Sequence, residues 1–573
     1  MGLQTSVSIA YKDIFPDFDQ VNVTNLIADI PTRNSLEILG YFLAQLHTIE
    51  RDPTKQIEFL KMWTGRLPNE VHKELYAFIS RVSSQPNADY NFLNNVSALL
   101  LIEHLIENRN ELEPVKDLTP QQELNLFKAY LYFTQIWTDR QLSVLSGKKV
   151  NTEKDLIELL LPVQLPYQEV LEFKDFRLQF LKAVYFFKFC EQNPQFSNYL
   201  DIFLKEYNLK SWHIYLVNLL SIYVRKFERL KTPSVINVPD EFPDIIGFLE
   251  TLCIEPNDFK ISDDFLSLRN KPVYRLSKND FVFLNLNFLV DKIYQGIQFD
   301  FAKILVKYSA TYNGKIIKSP VAFMSIFGDE FSESGLFYSV MDYVFEKSNY
   351  VRFNGQTMKG ILGDGEPDYY IRDKAKVYIF EFKNVYINAQ TKHSYDYTKI
   401  EEEIFKKLVV NEKGDAKGVT QLVNTIEKIR NDEFKKFDNY DFNSVRIYPV
   451  IVYVDFSFNI AGINHILNKE FRKQLVDRKI SRTDYIKDLV LIDLDSFIKF
   501  QDLFRNKSLK INNCLNEFYD YVRNPKDIFN RVSTFNMFIH KKTRKMNYDT
   551  PKMLFEEVMK LLPKDEELNI EKI

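Results

Sequence analysis

Between residues 321 and 500 the sequence alternates helical patterns with short, strongly apolar runs, and this alternation constrains the fold more than any other feature. Arg446–Val454 reads RIYPVIVYV and Leu489–Leu494 reads LVLIDL, and runs of this length and composition predict buried strands. Amphipathic helices are predicted at Phe337–Phe345 and at Thr420–Arg430. Helices that alternate with buried strands indicate a mixed α/β sheet covered on both faces.

Residues 1–260 have a different pattern, in which apolar side chains recur at helical spacing. Six stretches show this amphipathic pattern clearly: Ile57–Trp63, Val71–Ile79, Phe92–Ile106, Leu124–Trp137, Phe176–Cys190 and Trp212–Phe227. No fixed repeat period links them, which disfavours a solenoid and leaves an irregular helical array open. In a chain of 573 residues, where two or more domains are expected, this part is predicted to be a helical sensing or interaction region.

Two further segments complete the predicted organisation. Val273–Leu276 and Phe281–Leu286 predict a β-hairpin followed by a helix, so residues 261–320 are predicted to form a small β-containing connector. Residues 321–500 form the predicted α/β core, and residues 501–573 are predicted to be a helical C-terminal tail. The predicted fold class is therefore multidomain, α plus α/β.

Composition and charge narrow the class of protein. Net charge is −3, but residues 301–573 carry 44 basic and 39 acidic side chains, which permits a phosphate-bearing partner there. No run of about 18 apolar residues predicts a membrane span, and the N-terminal residues do not resemble a signal peptide. Cys190, Cys253 and Cys514 have no metal-ligand spacing. We expect a cytoplasmic protein without disulfides.

Residues 363–384, GDGEPDYYIRDKAKVYIFEFKN, place charged side chains at the end of a predicted hairpin. The chain runs out through Tyr369–Arg372, turns, and returns through Val377–Phe382. A hairpin centred near Lys374 places Asp368 opposite Phe380 or Glu381. Because alternate side chains of a strand share a face, Glu381 and Lys383 are predicted to point the same way.

Two carboxylates and an ammonium at one point suit phosphodiester cleavage. Neighbouring carboxylates do not both stay ionised cheaply without a cation between them, and Mg²⁺ prefers oxygen ligands. Lys383 could orient or deprotonate the attacking water, or neutralise developing charge, and the sequence leaves these roles open. An isolated Glu-x-Lys on a strand is more often an exposed ion pair. The combination of Pro367-Asp368 with a buried strand ending in Glu381-Phe382-Lys383 favours the functional interpretation.

This combination resembles the PD-(D/E)xK motif of restriction-endonuclease-like nucleases. The resemblance covers about residues 321–500 and implies an α/β core with a central mixed sheet. It also implies Mg²⁺ dependence, with Mn²⁺ as a substitute, and hydrolysis of DNA or, less often, RNA. The helix that contains Gln421 is similar to the Gln-bearing helix that follows the motif in RecB-like and Holliday-resolvase-like members, which implies a catalytic part for Gln421.

One departure concerns a metal ligand. Many members carry a Glu on the helix before the motif, and here Tyr338 falls at about that position. Glu333 and Glu330, at or just before the predicted helix start, are the substitutes, although each could be a plain N-terminal helix charge. The predicted metal ligands are therefore Asp368, Glu381 and Glu333.

The resemblance predicts a Mg²⁺-dependent nuclease, with DNA the more expected substrate, acting as an effector or restriction-type enzyme in prokaryotic defence. The helical region of residues 1–260 would bind a protein partner or mediate homo-oligomerisation. The alternative from another class is a catalytically inactive nuclease-fold scaffold that binds nucleic acid or protein.

Overall fold

The computed structural model describes residues 8–49, 52–84, 91–228, 235–363, 365–441, 443–524, 527–546 and 551. The chain forms two compact units. The first unit consists of Met1–Ser146, Val170–Gln179 and Phe203–Asp300, and the second unit consists of Gly147–Glu169, Phe180–Ile202 and Phe301–Ile573.

This division crosses the predicted domain boundaries. The hairpin assigned to a separate connector belongs to the first unit, and residues 147–169 and 180–202 of the predicted N-terminal region belong to the second. The residue pattern along the chain shows where strands begin. The division into compact units depends instead on which apolar faces pack together, and the pattern does not show this. The described part of the predicted tail is helical, and its residues 547–550 and 552–573 lie outside the described residues.

Helices dominate the described residues. Numbered in chain order, the α-helices are α1 (Tyr11–Ile14), α2 (Val23–Ile27), α3 (Thr32–Ile49), α4 (Pro53–Trp63), α5 (Asn69–Ser83), α6 (Asn95–Glu107), α7 (Pro120–Leu145), α8 (Glu153–Gln164), α9 (Gln168–Leu171), α10 (Phe176–Gln192), α11 (Pro194–Glu206), α12 (Trp212–Glu228), α13 (Pro243–Thr251), α14 (Leu266–Asn270), α15 (Leu286–Asp291), α16 (Gln295–Lys307), α17 (Pro320–Phe327), α18 (Tyr338–Phe345), α19 (Gly355–Leu362), α20 (Ala389–Lys392), α21 (Tyr397–Leu408), α22 (Gly418–Arg430), α23 (Ile463–Asp477), α24 (Leu494–Lys499), α25 (Gln501–Arg505), α26 (Ile511–Val522), α27 (Ile528–Val532) and α28 (Phe535–Thr543).

The six helical stretches predicted before residue 260 are confirmed, because each contributes to α4, α5, α6, α7, α10 or α12. Local chemistry explains where such helices begin. The hydroxyl of Thr119 accepts a hydrogen bond from the amide of Gln122, and Pro120 occupies the first position of α7. This satisfies one of the amide groups that a helix start leaves without a partner.

In the part of the chain that the structure describes, ten strands form three sheets. In chain order they are β1 (Val235–Asn237), β2 (Val273–Arg275), β3 (Asp280–Phe283), β4 (Thr311–Tyr312), β5 (Lys315–Ile316), β6 (Val351–Asn354), β7 (Tyr369–Asp373), β8 (Lys376–Lys383), β9 (Arg446–Tyr453) and β10 (Val490–Asp493). In the first unit β3 lies between β1 and β2 in an antiparallel sheet, which confirms the predicted hairpin. In the second unit β4 and β5 form a small antiparallel pair.

The main sheet of the second unit has the order β10-β9-β8-β7-β6. Strands β6, β7 and β8 are antiparallel, whereas β8, β9 and β10 are parallel. The mixed sheet predicted from the apolar runs is therefore confirmed. The sequence did not predict β6, which is half-buried along its whole length and contains Arg352 and Asn354, so it lacks the apolar signal of a central strand.

Helices cover both faces of this sheet. On one face Phe382 of β8 stacks on Phe337 with ring centroids 4.8 Å apart, and Phe380 contacts Phe497 of α24. On the other face α22 packs against β8 and β9, and its Leu422, Ile426 and Ile429 are fully buried. These layers fix the end of β8 from both sides.

The helix predicted at Phe337–Phe345 is confirmed as α18, but the sequence did not predict that it continues a longer helix. The hydroxyl of Ser319 accepts a hydrogen bond from the amide of Ala322, and the helix runs from Pro320 through α17, a π-helical segment (Gly328–Phe337) and α18. Glu330, Glu333 and Tyr338 therefore lie within one continuous helix. π-helical turns are rare and are frequently found at functional sites.

Two other features agree with the sequence. Cys190, Cys253 and Cys514 are buried free thiols. Among the described residues no helix is both long enough and apolar enough to cross a membrane.

Candidate active site

The charged hairpin end is built by β7 and β8, which are joined by a two-residue turn. Lys374 adopts a left-handed conformation there, with φ of 55°, and Asp373 pairs with Lys376. The register continues to the pair of Tyr369 with Phe380, so Asp368 lies one step further, opposite Glu381. This is one of the two registers that the sequence predicted.

Main-chain and side-chain hydrogen bonds fix the three motif residues. Oδ2 of Asp368 accepts a hydrogen bond of 2.6 Å from the amide of Phe382. Glu381 is 1% exposed, and its Oε1 lies 2.7 Å from the Nζ of Lys383. Its other oxygen, Oε2, is buried and has no hydrogen-bond partner among the described residues. The structure thus brings Asp368, Glu381 and Lys383 together at one end of the hairpin.

Burial and the charges of neighbouring carboxylates raise the pKa of both carboxyl groups. The pKa of Asp368 is raised well above its usual value, first by burial and then by the charge of Glu381. Burial also raises the pKa of Glu381, against the opposing effect of Lys383. Burial alone would lower the pKa of Lys383, but the charges of Glu381 and Asp368 leave it raised. The ammonium form of Lys383 is therefore strongly favoured.

Glu333 comes to this cluster from the π-helical segment. Its Oε1 accepts a hydrogen bond of 2.5 Å from the hydroxyl of Tyr338. Burial raises its pKa, and the nearby Lys383 lowers it. Tyr338 falls where related sites often have a glutamate, and here its hydroxyl hydrogen-bonds to Glu333. Glu330 instead accepts a hydrogen bond from Tyr312 of β4, so the structure separates the two glutamates that the sequence had left as alternatives.

Sequence reasoning missed two residues at the site. Glu366 is close enough to raise the pKa of Glu333, Glu381 and Tyr338, and its Oε2 is buried without a partner among the described residues. The adjacent carboxylates in Glu366-Pro367-Asp368 were the available signal. Gly355 is also required, because a Cβ there would lie 2.7 Å from the hydroxyl of Tyr338. Nothing in the sequence pointed to that close approach.

Gln421 lies on α22, which covers the face of the sheet that carries Glu381. Gly418 at the start of α22 approaches this face closely, since a Cβ on it would lie 3.1 Å from Cδ1 of Ile451. Ile451 is the register partner of Glu381 on β9. Gln421 follows one turn later, and its Oε1 is buried without a hydrogen-bond partner among the described residues.

A cleft of about 430 Å³ opens beside these residues. It is lined by the helix that carries Glu333, by the end of β8 with Lys383, and by residues of α21 and of the segment leading to α22. Its charged lining residues are Asp329, Glu333, Lys383, Lys406, Lys407 and Lys417.

The residues present fit a divalent cation that prefers oxygen. Asp368, Glu381 and Glu333 supply only carboxylate oxygens, and Oε2 of Glu381 is buried without a partner among the described residues. In this arrangement the ammonium of Lys383 balances the charge of Glu381. Among the described residues no three His, Cys, Asp or Glu side chains stand in the arrangement of a preformed metal site.

Comparisons with protein-family models, curated proteins and solved structures found no match to this chain. The likeness to the PD-(D/E)xK motif consequently stays a resemblance, carried by the motif residues.

Proposed function

We propose that the second unit is a metal-dependent nuclease that hydrolyses phosphodiester bonds, with DNA a more expected substrate than RNA. The observation that carries this proposal is the meeting of Asp368, Glu381 and Lys383 at the hairpin end, where a buried oxygen of Glu381 has no partner among the described residues. Structural ion pairs rarely leave a buried carboxylate oxygen unsatisfied, because this costs about 1–3 kcal/mol.

Asp368, Glu381 and Glu333 would hold Mg²⁺ or Mn²⁺ in this proposal. The bound cation would lower the pKa of a water molecule and offset negative charge on the phosphoryl oxygens. The carboxylates bind in their ionised forms, so binding has to overcome the burial and repulsion that raise the pKa of Asp368 and Glu381.

Lys383 has the clearest role among the residues of the chain. Its raised pKa keeps it protonated, which favours charge stabilisation and hydrogen-bond donation over the role of a general base. Its Nζ is held by Glu381, and Lys383 lines the cleft, so its ammonium is proposed to donate to an oxygen of a phosphate that enters there. Gln421, with a buried and unpartnered amide oxygen, is proposed to orient a water molecule or the substrate by hydrogen bonding.

The biological setting is proposed by resemblance only. Large helical regions attached to such nucleases in prokaryotic defence systems sense a signal or bind a partner, and we propose the same for the helical N-terminal part of this chain.

The decisive experiment uses the purified full-length chain. Supercoiled plasmid, linear duplex DNA, single-stranded DNA and RNA are incubated with Mg²⁺, with Mn²⁺ and with EDTA. We expect cleavage of at least one substrate that needs the metal and is lost in Asp368→Asn and Glu381→Gln. The exposed residue Glu402 provides the control Glu402→Gln, which should cleave normally. If wild type and both site variants give equal cleavage, or none under all conditions, the scaffold alternative replaces the nuclease.

A further inference from the structure

We infer that the wall of the cleft formed by α21 and the start of α22 binds a backbone phosphate of the nucleic acid, next to the phosphate that is cleaved. This inference rests on the proposed nuclease function and names how that site would hold its substrate. It assigns a binding role to Lys417 and Lys407.

The charges that line the cleft favour an anion. Four lysines and two carboxylates, Asp329 and Glu333, line it. The ion pairs of the lysines differ. Lys406 and Lys407 both contact Glu403 at 3.9 and 3.5 Å, and Lys406 also pairs with Glu412 at 2.5 Å.

Lys417 differs from these two lysines. In the described part of the chain it makes no ion pair, and it lines the cleft directly. Its backbone amide is fixed by a hydrogen bond of 2.8 Å to the carbonyl of Val409. The position of its Cα is therefore set. Its charge lowers the pKa of Asp329 against the effect of burial, so Asp329 is the carboxylate with which a bound anion would compete.

A lysine ammonium is a common binder of phosphate, as a point charge. The cleft volume of about 430 Å³ is in the range of small-ligand sites, roughly 300–1,000 Å³. It therefore accepts a nucleotide-sized part of one strand and not the full width of a duplex. The phosphate at this wall would then keep the strand in register with Lys383.

Binding in EDTA tests the inference apart from cleavage. Anisotropy of a fluorescein-labelled single-stranded DNA is measured with the full-length chain between about 50 and 300 mM salt. Lys417→Gln should weaken binding roughly 5- to 10-fold and flatten the salt dependence of log K by about 0.7, the change expected when one phosphate contact is lost from a single strand. Lys417→Arg should retain most of the affinity, and Lys407→Gln should give a smaller loss because Lys407 shares Glu403.

Lys413 supplies the matched control, because it is exposed, lies in the same loop and does not line the cleft. Lys413→Gln should bind like the wild type. If Lys417→Gln has wild-type affinity and salt slope, or if Lys413→Gln weakens binding equally, the inference is overturned. Melting temperatures within about 2 °C of the wild type would show that each variant is folded.

Two outcomes separate the inference from the proposed function. Metal-dependent cleavage with unchanged binding by Lys417→Gln would retain the nuclease and remove the phosphate site. The reverse result, weaker binding by Lys417→Gln without any cleavage, would retain the phosphate site and remove the nuclease. Oligonucleotides with and without a 5′-phosphate then identify the source: equal affinity indicates an internal phosphate, and an affinity difference lost in Lys417→Gln indicates a terminal one.

Discussion

The backbone amide of Phe382 donates a hydrogen bond of 2.6 Å to Oδ2 of Asp368, across the open end of the hairpin of β7 and β8. This bond ties the first carboxylate to the strand that carries the second. Because Glu381 precedes Phe382, the two carboxylates are held near each other by the covalent chain as well as by the sheet. The metal-free protein therefore stores electrostatic repulsion at this point.

Replacing either carboxylate by its amide should abolish cleavage and relieve this repulsion. Asp368→Asn and Glu381→Gln are each expected to lower cleavage at least 100-fold while leaving the fold intact. In EDTA both variants should melt at the wild-type temperature or slightly above it, because a buried charge has been removed. Adding Mg²⁺ should raise the melting temperature of the wild type more than that of either variant.

Calorimetry with and without Mg²⁺ measures this difference, and Glu402→Gln is the control. Equal stabilisation of the wild type and both variants by Mg²⁺ would show that the cation binds elsewhere.

Stability in EDTA should depend on pH in a direction set by the raised pKa of Asp368 and Glu381. Both groups bind a proton more strongly in the folded chain than in the unfolded chain. Their contribution to the free energy of unfolding is therefore fully present below the ordinary pKa range of carboxyl groups, near pH 4. It is lost as the pH rises through the raised pKa values of the folded chain. The free energy of unfolding contributed by the site should fall as the pH rises, and Mg²⁺ should reduce that fall.

The difference between wild type and Glu381→Gln isolates this effect from the other titrating groups. Urea unfolding in EDTA at several pH values between about 4 and 8 should show a smaller decline for the variant. Parallel curves for the two proteins would contradict the assignment of the raised pKa to this carboxylate.

The strands and the hairpin register were predictable from the sequence for a local reason. Side chains of a strand alternate, so a one-residue shift would exchange the apolar and charged faces of β8. The turn at Lys374 then leaves Asp368 only two possible partners. Local apolar pattern and turn position together fix the geometry of this part of the site.

The position of Glu333 was not predictable in the same way. The polar residues of Gly328–Phe337, GDEFSESGLF, resemble a loop before a helix, whereas tertiary packing makes them a π-helical segment. Phe331 is fully buried and contacts the rings of Phe327 and Phe186. Phe186 is distant in sequence, and no local pattern specifies such a contact. The division into two units was not predictable for the same reason, because it also depends on contacts between residues that are distant in sequence.

Arg372 should matter for stability and not for chemistry. Its guanidinium binds both oxygens of Asp438 at 2.6 Å, and Tyr370 donates to the same carboxylate at 2.7 Å. Arg372→Ala would leave a buried carboxylate without its cation, a change that costs about 3–5 kcal/mol. Urea unfolding measures this cost.

Lys376→Ala is the comparison for Arg372→Ala, because Lys376 lies on the same hairpin and only reaches Asp373 at 4.0 Å. Its effect should be about 0.5 kcal/mol or less. Similar losses of stability in the two variants would contradict the structural role of the Arg372 pair.

The hydroxyl of Tyr338 should act through Glu333. Tyr338→Phe removes the hydrogen bond to Oε1 of Glu333 and leaves that carboxylate harder to ionise. We expect a weaker apparent affinity for Mg²⁺, by roughly 3- to 10-fold, with cleavage at saturating Mg²⁺ largely restored. A titration of cleavage rate against Mg²⁺ concentration distinguishes this from a loss of fold, which excess Mg²⁺ would not restore. Wild-type Mg²⁺ dependence would exclude Glu333 as a ligand.

Lys383→Ala should separate metal binding from catalysis. The ammonium of Lys383 neutralises Glu381 through the 2.7 Å contact and ligates nothing, so removing it leaves the carboxylates free to attract a cation. We expect binding of Mg²⁺ that is equal to or tighter than in the wild type, and cleavage lowered at least 100-fold because the charge on the phosphate is no longer offset. Isothermal titration with Mg²⁺ and a cleavage assay on one preparation measure both quantities.

Two outcomes would contradict this prediction. Loss of both Mg²⁺ binding and cleavage in Lys383→Ala, with the melting temperature unchanged in EDTA, would make Lys383 part of the metal-binding site itself. Wild-type cleavage by Lys383→Ala would remove Lys383 from the mechanism and, together with active Asp368→Asn and Glu381→Gln, would leave the hairpin end a buried structural ion cluster.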